Sequence, residues 1–291
     1  MTKFSILIVT KNRVKDLDVT LKTLEKTTSR KDVEVLVLSD GCLESKSFLD
    51  TNYPLLKSFY LKKSIGASPA RNALYKKAQG DYLIGLDDDS NFITDDYLIK
   101  IENIFKNEKV GVVAFKEIKS LKLGKKLKFN TESFYTNEFI GCGFCIKKQV
   151  YNQIRGFPMW MDIYGEEACV AIEVLDKGYK IFYTDAIAVH HRVDKSKRRL
   201  DNHDIFRFKK LLLNGNKYFL VYLPSIMLPK PLIKIFIHNF SKYALIDLKY
   251  FFAFLGVYLK LIIQMGYLLK NRRPVSKSTI MNKKQTKSLK F

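Results

Sequence analysis

The chain has 291 residues, of which 47% are hydrophobic and 13% aromatic. This composition excludes an intrinsically disordered protein, and the length suits one large domain or one domain with an appendage. The formal net charge is +22, but it is distributed unevenly. Residues 1–191 carry 29 Lys or Arg and 25 Asp or Glu, whereas residues 192–291 carry 22 and 4. A basic part therefore follows a nearly neutral one, which indicates a polyanionic partner, either nucleic acid or anionic lipid.

Short apolar runs alternate with helical patterns in the first part of the chain. The runs at 4–10, 33–38 and 82–86 predict buried strands, and leucines at helical spacing follow the first of them. This alternation favours a parallel, doubly wound α/β sheet. Each of the three runs ends in polar or acidic residues, and in such sheets ligands bind beyond the carboxyl ends of the strands.

Three adjacent acids, Asp87, Asp88 and Asp89, directly follow the third run. Adjacent carboxylates repel one another and resist burial unless water, a cation or a metal-bound phosphate offsets their charge. Hard oxygen ligands favour magnesium or manganese over zinc. The triplet therefore predicts a metal site at a strand end, and a solvated acidic turn is the alternative.

The four cysteines do not suggest a disulfide framework in a chain of this length. Cys142 and Cys145 have the C-x-x-C spacing, but no second pair completes a zinc site, so we interpret them as small residues packed near a ligand. Residues 4–9 are too short for the apolar core of a signal peptide. The default expectation is a reducing, cytoplasmic location.

Seven short motifs follow one another along residues 4–192. They are Ile8-Val-Thr-Lys-Asn-Arg13, Asp40-Gly41, Ile65-Gly-Ala67 with Arg71-Asn72, Asp87-Asp-Asp89, Gly141-Cys-Gly-Phe144, Tyr164-Gly-Glu-Glu167, and Gly178-Tyr179 with a later histidine. Each motif is weak, but their order and spacing together are specific, and in them the chain resembles a family-2 glycosyltransferase with the GT-A fold, of the inverting type found among bacterial enzymes of cell-surface polysaccharide synthesis. The resemblance implies a Rossmann-like, mostly parallel sheet with helices on both faces.

The resemblance also implies a nucleotide-diphosphate sugar donor and a divalent cation, manganese or magnesium. The residues expected to bind the donor are Thr10, Asn12, Arg13, Asp40, Gly66, Arg71, Asp87 and Asp88. The residues expected to bind the metal are Asp89, Asp87 and His190, with His191 as a competitor for the role of His190. The cation would stabilise the charge that gathers on the leaving nucleoside diphosphate.

By the same resemblance, Glu167 is expected to be the general base that takes the proton of the acceptor hydroxyl, and Glu166 is its rival. Many relatives have Glu-Asp at this place, whereas this chain has Glu-Glu. The alternative for both is that acidic side chains are favourable at a helix N-terminus. Cys169 stands where an acidic residue is frequent, which leaves the acceptor contacts open.

Residues 206–273 are basic and rich in aromatics, and we expect helices that lie in a membrane interface with their basic residues on lipid phosphates. The stretch 250–269 is long enough to span a bilayer, so a single span is the alternative. Lys260 opposes it, because a central lysine costs about 2.5–3.5 kcal/mol on insertion scales. Residues 274–291 read as a disordered basic tail, and residues 1–205 as the GT-A domain.

These features predict an inverting, metal-dependent glycosyltransferase (hexosyl- or deoxyhexosyl-) that acts on a lipid-linked glycan acceptor at the cytoplasmic face of the cell membrane, in polysaccharide biosynthesis. Nucleic acid is not an expected partner, because the aromatics lie in long apolar runs without a recognisable binding module. A sugar-nucleotide nucleotidyltransferase is an alternative, but Lys11-Asn12-Arg13 lacks the glycines of its loop. A non-catalytic membrane scaffold is another, and the acids at 87–89 and 166–167 argue against it.

Overall fold

The structure, a computed structural model, describes residues 2–120, 132–193 and 203–289, except for the side chain of residue 203. The chain divides into two compact units. Unit 1 comprises the described residues up to Asp162, Glu166–Val193 and those from Thr286. Unit 2 comprises Ile163–Gly165 and the described residues of the stretch that ends at Gln285. The chain leaves unit 1 after Val193, so the expected boundary at residue 205 lies within unit 2.

Unit 1 is built on one nine-stranded sheet. Its strands are β1 (Phe4–Thr10), β2 (Val33–Asp40), β3 (Lys57–Leu61), β4 (Tyr82–Asp87), β5 (Ser90–Phe92), β6 (Val110–Lys119), β7 (Ser133–Thr136), β8 (Gly143–Lys147) and β9 (Lys180–His191). The spatial order is β3-β2-β1-β4-β8-β6-β9-β5, and β7 pairs with β9. Strands β1, β2 and β4 are the three apolar runs of the sequence, and they are buried over most of their length.

The helices of unit 1 cover both faces of this sheet. They are α1 (Val14–Thr23), α2 (Glu25–Thr28), α3 (Leu43–Asn52), α4 (Ala67–Tyr75), α5 (Tyr97–Phe105), α6 (Lys148–Tyr151) and α7 (Glu166–Asp176). One core cluster joins the sheet to α1 and α5 through residues such as Leu17 and Ile101. The other joins it to α4 and α7 through residues such as Leu74 and Val170. The expected α/β fold with helices on both faces is therefore confirmed.

The sheet changes character across β8. Strands β1 to β4 pair in parallel, whereas β8 is antiparallel to both of its neighbours, β4 and β6. Strand β9 is parallel to β6, while the short strands β5 and β7 run antiparallel to β9. The sheet is thus parallel in its first part and mixed in its second. Because β1, β2, β4, β6 and β9 run in the same direction, their carboxyl ends meet at one edge.

Unit 2 is helical. Its elements are α8 (His203–Tyr222), a 3₁₀ turn (Ser225–Met227), α9 (Pro229–Asn239), a π-helical turn (Phe240–Ala244), α10 (Leu248–Ile263), α11 (Met265–Lys270) and α12 (Lys277–Gln285). Proline at the first position of α9 fits a helix start, and the Asp247 side chain caps α10 by accepting a hydrogen bond from the Lys249 N–H. Among the described residues, no helix combines the length and the apolar character that a membrane crossing requires.

The basic tail is ordered where the sequence predicted disorder. Helix α12 occupies most of the stretch after residue 274, and Thr279 and Ile280 are buried. Further on, in unit 1, the Leu289 N–H donates to the Glu138 carboxylate at 2.8 Å, and Lys287 forms an isolated β-bridge with Thr136. The prediction of a disordered tail is therefore wrong for residues 277–289. Helix formation, burial and contacts with distant residues order this stretch, and none of them is apparent from its basic, polar sequence.

Candidate active site

Four residues singled out by the sequence are each the last residue of a strand. They are Thr10 of β1, Asp40 of β2, Asp87 of β4 and His191 of β9. Since these strands run in the same direction, the four side chains lie at the same edge of the sheet. The candidate site is therefore assembled at the carboxyl edge, where α/β sheets bind ligands.

Asp88 and Asp89 are buried and share one arginine. Arg13 Nη1 lies 2.9 Å from Asp88 Oδ1, and Arg13 Nη2 forms an ion pair with Asp89 Oδ2. The Thr10 hydroxyl donates to Asp88 Oδ2 at 2.8 Å. Burial raises the pKa of Asp88 to about 7 despite Arg13. Burial also opposes the ionisation of Asp89, but His191 and Arg13 together lower the pKa of Asp89 to about 2.

Arg71 joins the acidic triplet to the two glutamates at the start of α7. Its Nη2 lies 2.6 Å from Asp87 Oδ1, and its Nη1 lies 2.8 Å from Glu166 Oε1 and 3.5 Å from Glu167 Oε1. The Arg71 side chain is itself only 12% exposed. A buried guanidinium with three carboxylate neighbours holds them in a fixed arrangement, because each lost contact would leave a buried charge unpaired.

Glu167 and Glu166 differ in accessibility. The Glu167 side chain is 22% exposed, whereas that of Glu166 is 3% exposed. Burial raises the pKa of Glu166 to about 8, with a further contribution from the charge of Glu167 and opposition from Arg71. Burial also raises the pKa of Glu167, again against Arg71. Glu167 is thus the carboxylate that another molecule can reach, and its raised pKa suits a general base.

Gly141 makes room for this arrangement. A Cβ atom at this position would lie 2.2 Å from Glu167 Oε1 and 2.9 Å from Arg71 Nη2. Any larger residue would therefore displace the carboxylate or the guanidinium. The close approach at Gly141 is therefore to the side chains of Glu167 and Arg71.

The histidine in the acidic cluster is His191, not His190. His191 Nε2 lies 3.3 Å from Asp89 Oδ1. The ring of His190 instead lies against Ser120, with Nε2 2.9 Å from the Ser120 carbonyl oxygen. Successive side chains of a strand point to opposite faces, so only one of the two can face the aspartates. The assignment of His190 to the metal site is therefore corrected in favour of its neighbour.

Asp87, Asp89 and His191 fit a divalent cation. Each offers one ligand atom, and these atoms lie within 4.8 Å of one another. Asp89 Oδ1 is buried and, among the residues that the structure describes, has no partner with good hydrogen-bond geometry, since His191 Nε2 is 3.3 Å away. Such an oxygen is costly unless a further partner satisfies it, and a cation would do so. Two carboxylates beside one imidazole favour a hard or borderline cation such as Mn²⁺.

The predicted donor residues of the β2 side form a structured loop. Asp40 Oδ1 accepts from the Ile65 N–H at 2.8 Å, and Asp40 Oδ2 accepts from the Ser64 hydroxyl at 2.7 Å and the Gly66 N–H at 3.0 Å. Gly66 has a φ of 96°, which favours glycine. Asp40 therefore holds the loop in place. On the β1 side, Asn12 lies in the exposed turn after the strand.

Cys142 and Cys145 do not form a redox pair. All four cysteines of the chain are free and buried. Burial raises the pKa of both thiols well above the usual value, and the charge of Glu117 adds to this for Cys142. A protonated, buried thiol is neither a good nucleophile nor a good metal ligand. The interpretation of these residues as small packing residues agrees with this environment.

Sequence reasoning missed three residues that support the acidic cluster. The Thr20 hydroxyl donates to the Asp88 carbonyl oxygen at 2.7 Å, and the Arg192 N–H donates to the Asp89 carbonyl oxygen at 2.9 Å. Glu117 Oε1 lies 2.5 Å from His191 Nδ1. The available signal for Glu117 was an acid at the end of a mainly apolar strand, but its partner His191 lies 74 residues away in the sequence.

Comparison with known proteins agrees with this geometry. The family model described as glycosyl transferase family 2 matches residues 5–155. A protein of Haemophilus influenzae, described as an uncharacterized protein, is 30% identical over 174 residues, which cover 53% of this chain and 92% of that protein.

Three solved structures have a similar fold. S. aureus TarS 1–349 in complex with UDP-GlcNAc is 17% identical, with a TM-score of 0.61 over 88% of this chain and 79% of that chain. Mannosyltransferase PcManGT from Pyrobaculum calidifontis, in complex with GDP-Man and Mn²⁺, is 15% identical, with a TM-score of 0.59 over 97% and 83%. GalNAc-T7 with UDP, GalNAc and Mn²⁺ is 18% identical, with a TM-score of 0.54 over 66% of this chain and 44% of that chain.

At these identities the structural likeness establishes the fold, which is GT-A, while the family model covers more than half of the chain and the whole edge from Thr10 to Asp89. The match over residues 5–155 shows, in agreement with the acidic triplet at the carboxyl edge, that the chain belongs to glycosyl transferase family 2 and is a glycosyltransferase.

Proposed function

We propose that this glycosyltransferase moves a sugar, with inversion and with the help of a divalent cation, from a nucleotide-diphosphate sugar to a glycan acceptor. One observation carries the proposal. A cluster suited to a cation, Asp87, Asp89 and His191, is joined through Arg71 to an accessible carboxylate, Glu167. The two groups are those that an inverting transfer requires, one for the leaving group and one for the attacking hydroxyl.

The leaving-group side is formed by the acidic cluster. A cation held there, Mn²⁺ or Mg²⁺, would supply a Lewis acid for the charge of the departing nucleoside diphosphate. The fold is shared with structures of GalNAc-T7 and PcManGT that contain Mn²⁺ together with a nucleotide or nucleotide sugar. Arg13 and Arg71 bring positive charge to the same edge, and their guanidinium groups suit diphosphate oxygens.

Glu167 is assigned as the base that removes the proton of the acceptor hydroxyl. Its greater exposure distinguishes it from Glu166, whose Oε1 is bonded to Arg71 and whose side chain is buried. Glu166 then holds Arg71 in position through the contact of its Oε1 with Arg71 Nη1. The two glutamates can have different roles because the Glu167 side chain is accessible to an acceptor, whereas the Glu166 side chain is buried against Arg71.

The first experiment is donor binding by the purified protein. UDP-, dTDP- and GDP-sugars are screened for an increase in melting temperature, with Mn²⁺ and with chelator. A ligand that binds only the folded state raises the melting temperature by mass action. The proposal requires a shift with one nucleotide class that disappears with chelator. Absence of any shift, with and without lipid vesicles, would favour the non-catalytic scaffold.

We further propose that the acceptor is carried on a lipid and that unit 2 binds the anionic, cytoplasmic face of a membrane, as in enzymes of polysaccharide synthesis. An apolar stripe runs along α10 at helical spacing. Its members, with exposed fractions between 48% and 74%, are Leu248, Phe252, Leu255, Leu259, Ile262 and Ile263. The opposite face of the same helix, with Ala253, Phe254, Val257 and Leu261, is buried.

The charge of unit 2 supports a lipid partner. Residues 203–285 contain 15 Lys or Arg and only two Asp. Basic residues beside an exposed apolar stripe suit a helix that lies in the interface of an anionic membrane. Co-sedimentation of the whole chain with vesicles tests this. Binding is expected with anionic vesicles and is expected to weaken with salt, and equal binding to neutral vesicles would contradict the charge argument.

A further inference from the structure

The two ring nitrogens of His191 have different neighbours. Nε2 faces the acidic cluster, where it lies 3.3 Å from Asp89 Oδ1. Nδ1 faces Glu117, whose Oε1 lies 2.5 Å away. The Glu117 side chain is only 5% exposed, and its Oε2 lies 3.1 Å from Lys119 Nζ. Glu117 is thus a buried carboxylate with one oxygen committed to the histidine ring.

The sheet explains this pairing. In the parallel ladder of β6 and β9, Glu117 lies opposite Val189 and Lys119 lies opposite His191. Residues two apart on a strand share a face, so Glu117, Lys119 and His191 project to the same side. The contact is therefore set by the register of two central strands and does not depend on a loop. A ring held in this way has little freedom to rotate.

A short hydrogen bond from Nδ1–H to a carboxylate decides which nitrogen carries the proton of a neutral imidazole. In the neutral imidazole that a metal requires, the proton resides on Nδ1, and the lone pair of Nε2 is left for a cation held by Asp87 and Asp89. Carboxylates that act in this way through a histidine typically raise metal affinity 10- to 100-fold. We propose that Glu117 is a positioning residue that orients His191 for the divalent cation of the candidate site, an inference that rests on the cation of the proposed function.

A competing use of Glu117 is as a direct ligand. Glu117, Cys142 and His191 also have ligand atoms within 4.8 Å of one another. A site of this kind would engage Nδ1 of the histidine, whereas the positioning role leaves Nε2 for the metal and gives Cys142 no part. The two uses therefore differ in what happens when the thiol is removed.

The test is a titration of Mn²⁺ into the whole chain, followed by calorimetry or by the electron paramagnetic resonance signal of free Mn²⁺. Wild type is compared with Glu117→Ala, Glu117→Gln and Cys142→Ala. We expect Mn²⁺ affinity to fall about 10- to 100-fold in Glu117→Ala. The fall should be smaller in Glu117→Gln, since its carbonyl oxygen still accepts from Nδ1, and Cys142→Ala should bind as wild type does.

Glu34→Gln is the matched control. Glu34 is also a buried glutamate of the same sheet, with a side chain that is 6% exposed and a lysine partner, Lys57. Its replacement should lower the melting temperature without changing Mn²⁺ affinity. If Glu117→Gln is folded and both Glu117 variants lose stability but keep wild-type affinity, Glu117 has a structural role only and the inference is wrong.

The remaining outcomes separate this inference from the proposed function. A loss of affinity in Cys142→Ala equal to that in Glu117→Ala would make the thiol cluster the metal site and would overturn the positioning role. Failure of the wild-type chain to bind Mn²⁺, with or without nucleotide, would refute the cation of the proposed function itself. Binding by wild type that is insensitive to Glu117 would refute only the inference.

Discussion

The two units differ in how their charged side chains are paired and in how much apolar surface they expose. In unit 1 the carboxylates of the candidate site contact two arginines: Arg13 for Asp88 and Asp89, and Arg71 for Asp87 and Glu166. In unit 2, residues 203–285 contain 15 Lys or Arg and only two Asp, and large apolar side chains of α10 face outward. Both arrangements cost free energy in an isolated chain, because buried charges and exposed apolar groups are each unfavourable in water.

The difference supports the partner that we propose for each unit. A pocket of paired, buried charges is organised before a small, highly charged ligand arrives, which suits a diphosphate and a cation. An exposed apolar stripe with surrounding positive charge suits a broad anionic surface. Chemistry is thus expected to depend on unit 1, and location on unit 2. Variants that alter one property and leave the other intact test this division.

The largest effect is expected from Asp89→Asn. Loss of a metal-binding carboxylate removes several kcal/mol of charge stabilisation, so transfer should fall at least about 1000-fold. Metal-dependent donor binding should disappear as well, as measured by melting temperature with Mn²⁺ and nucleotide sugar. Asp96→Asn, at an aspartate whose side chain is 55% exposed, is the control and should behave as wild type. Retention of chelator-sensitive donor binding in Asp89→Asn would refute the metal assignment.

Glu167→Gln should reduce transfer about 10²- to 10⁴-fold, which is the usual contribution of a general base. Donor binding should persist, because the cation cluster is untouched. Single-turnover transfer and donor titration distinguish the two effects. Glu166→Gln is the paired variant. If it loses transfer with donor binding intact while Glu167→Gln stays active, the base is Glu166 and the assignment made from side-chain exposure is wrong.

The pH dependence should have opposite signs for activity and stability. The base Glu167 must be deprotonated, and burial raises its pKa, so transfer should rise with pH above the usual range of a glutamate, by about tenfold per unit on the acid side. For stability, a folded-state pKa of Glu166 above the unfolded value of 4.5 means that the native state holds the proton more tightly. That stabilisation is complete below pH 4.5 and is lost as the pH rises to about 8.

Glu166→Gln separates the pH dependence of stability from that of activity, because the glutamine side chain is neutral at every pH. Its melting temperature should lack the decline of wild type between about pH 5 and pH 8. A wild-type activity profile that is flat from about pH 4.5 upward would contradict the raised pKa of Glu167 as the cause of the activity change.

The smallest effect is expected from Phe252→Ser combined with Leu259→Ser, which removes two exposed members of the α10 stripe. Binding to anionic vesicles should weaken about tenfold, because each side chain would bury apolar surface in the interface. Donor binding in solution should not change. Leu55→Ser, at a residue of unit 1 that is 99% exposed, is the control. Equal vesicle binding by both variants would show that the stripe is not the contact surface.

Much of the fold was accessible from sequence pattern. The buried strands β1, β2 and β4 appear in the sequence as continuous apolar runs. Because alternation with helices implies that these strands are parallel, the polar and acidic residues at their ends were expected at one edge of the sheet. The antiparallel insertion of β8 between β4 and β6 was not accessible, because its pairing joins segments that are distant in the sequence. Helix α12 was missed for a different reason, because its polar sequence has little apolar periodicity.

The residue pattern alone indicates the kind of chemistry, through an acidic triplet at the end of a buried strand, a pair of glutamates at the start of a helix, and a histidine near a late strand. Which of these residues act together depends on the three-dimensional arrangement. The choice of His191 over His190 follows from which face of β9 each side chain takes, and the role of Glu117 follows from the register of β6 against β9. Local sequence specifies side-chain types and periodicity, whereas partners separated by many residues are set by strand pairing and packing.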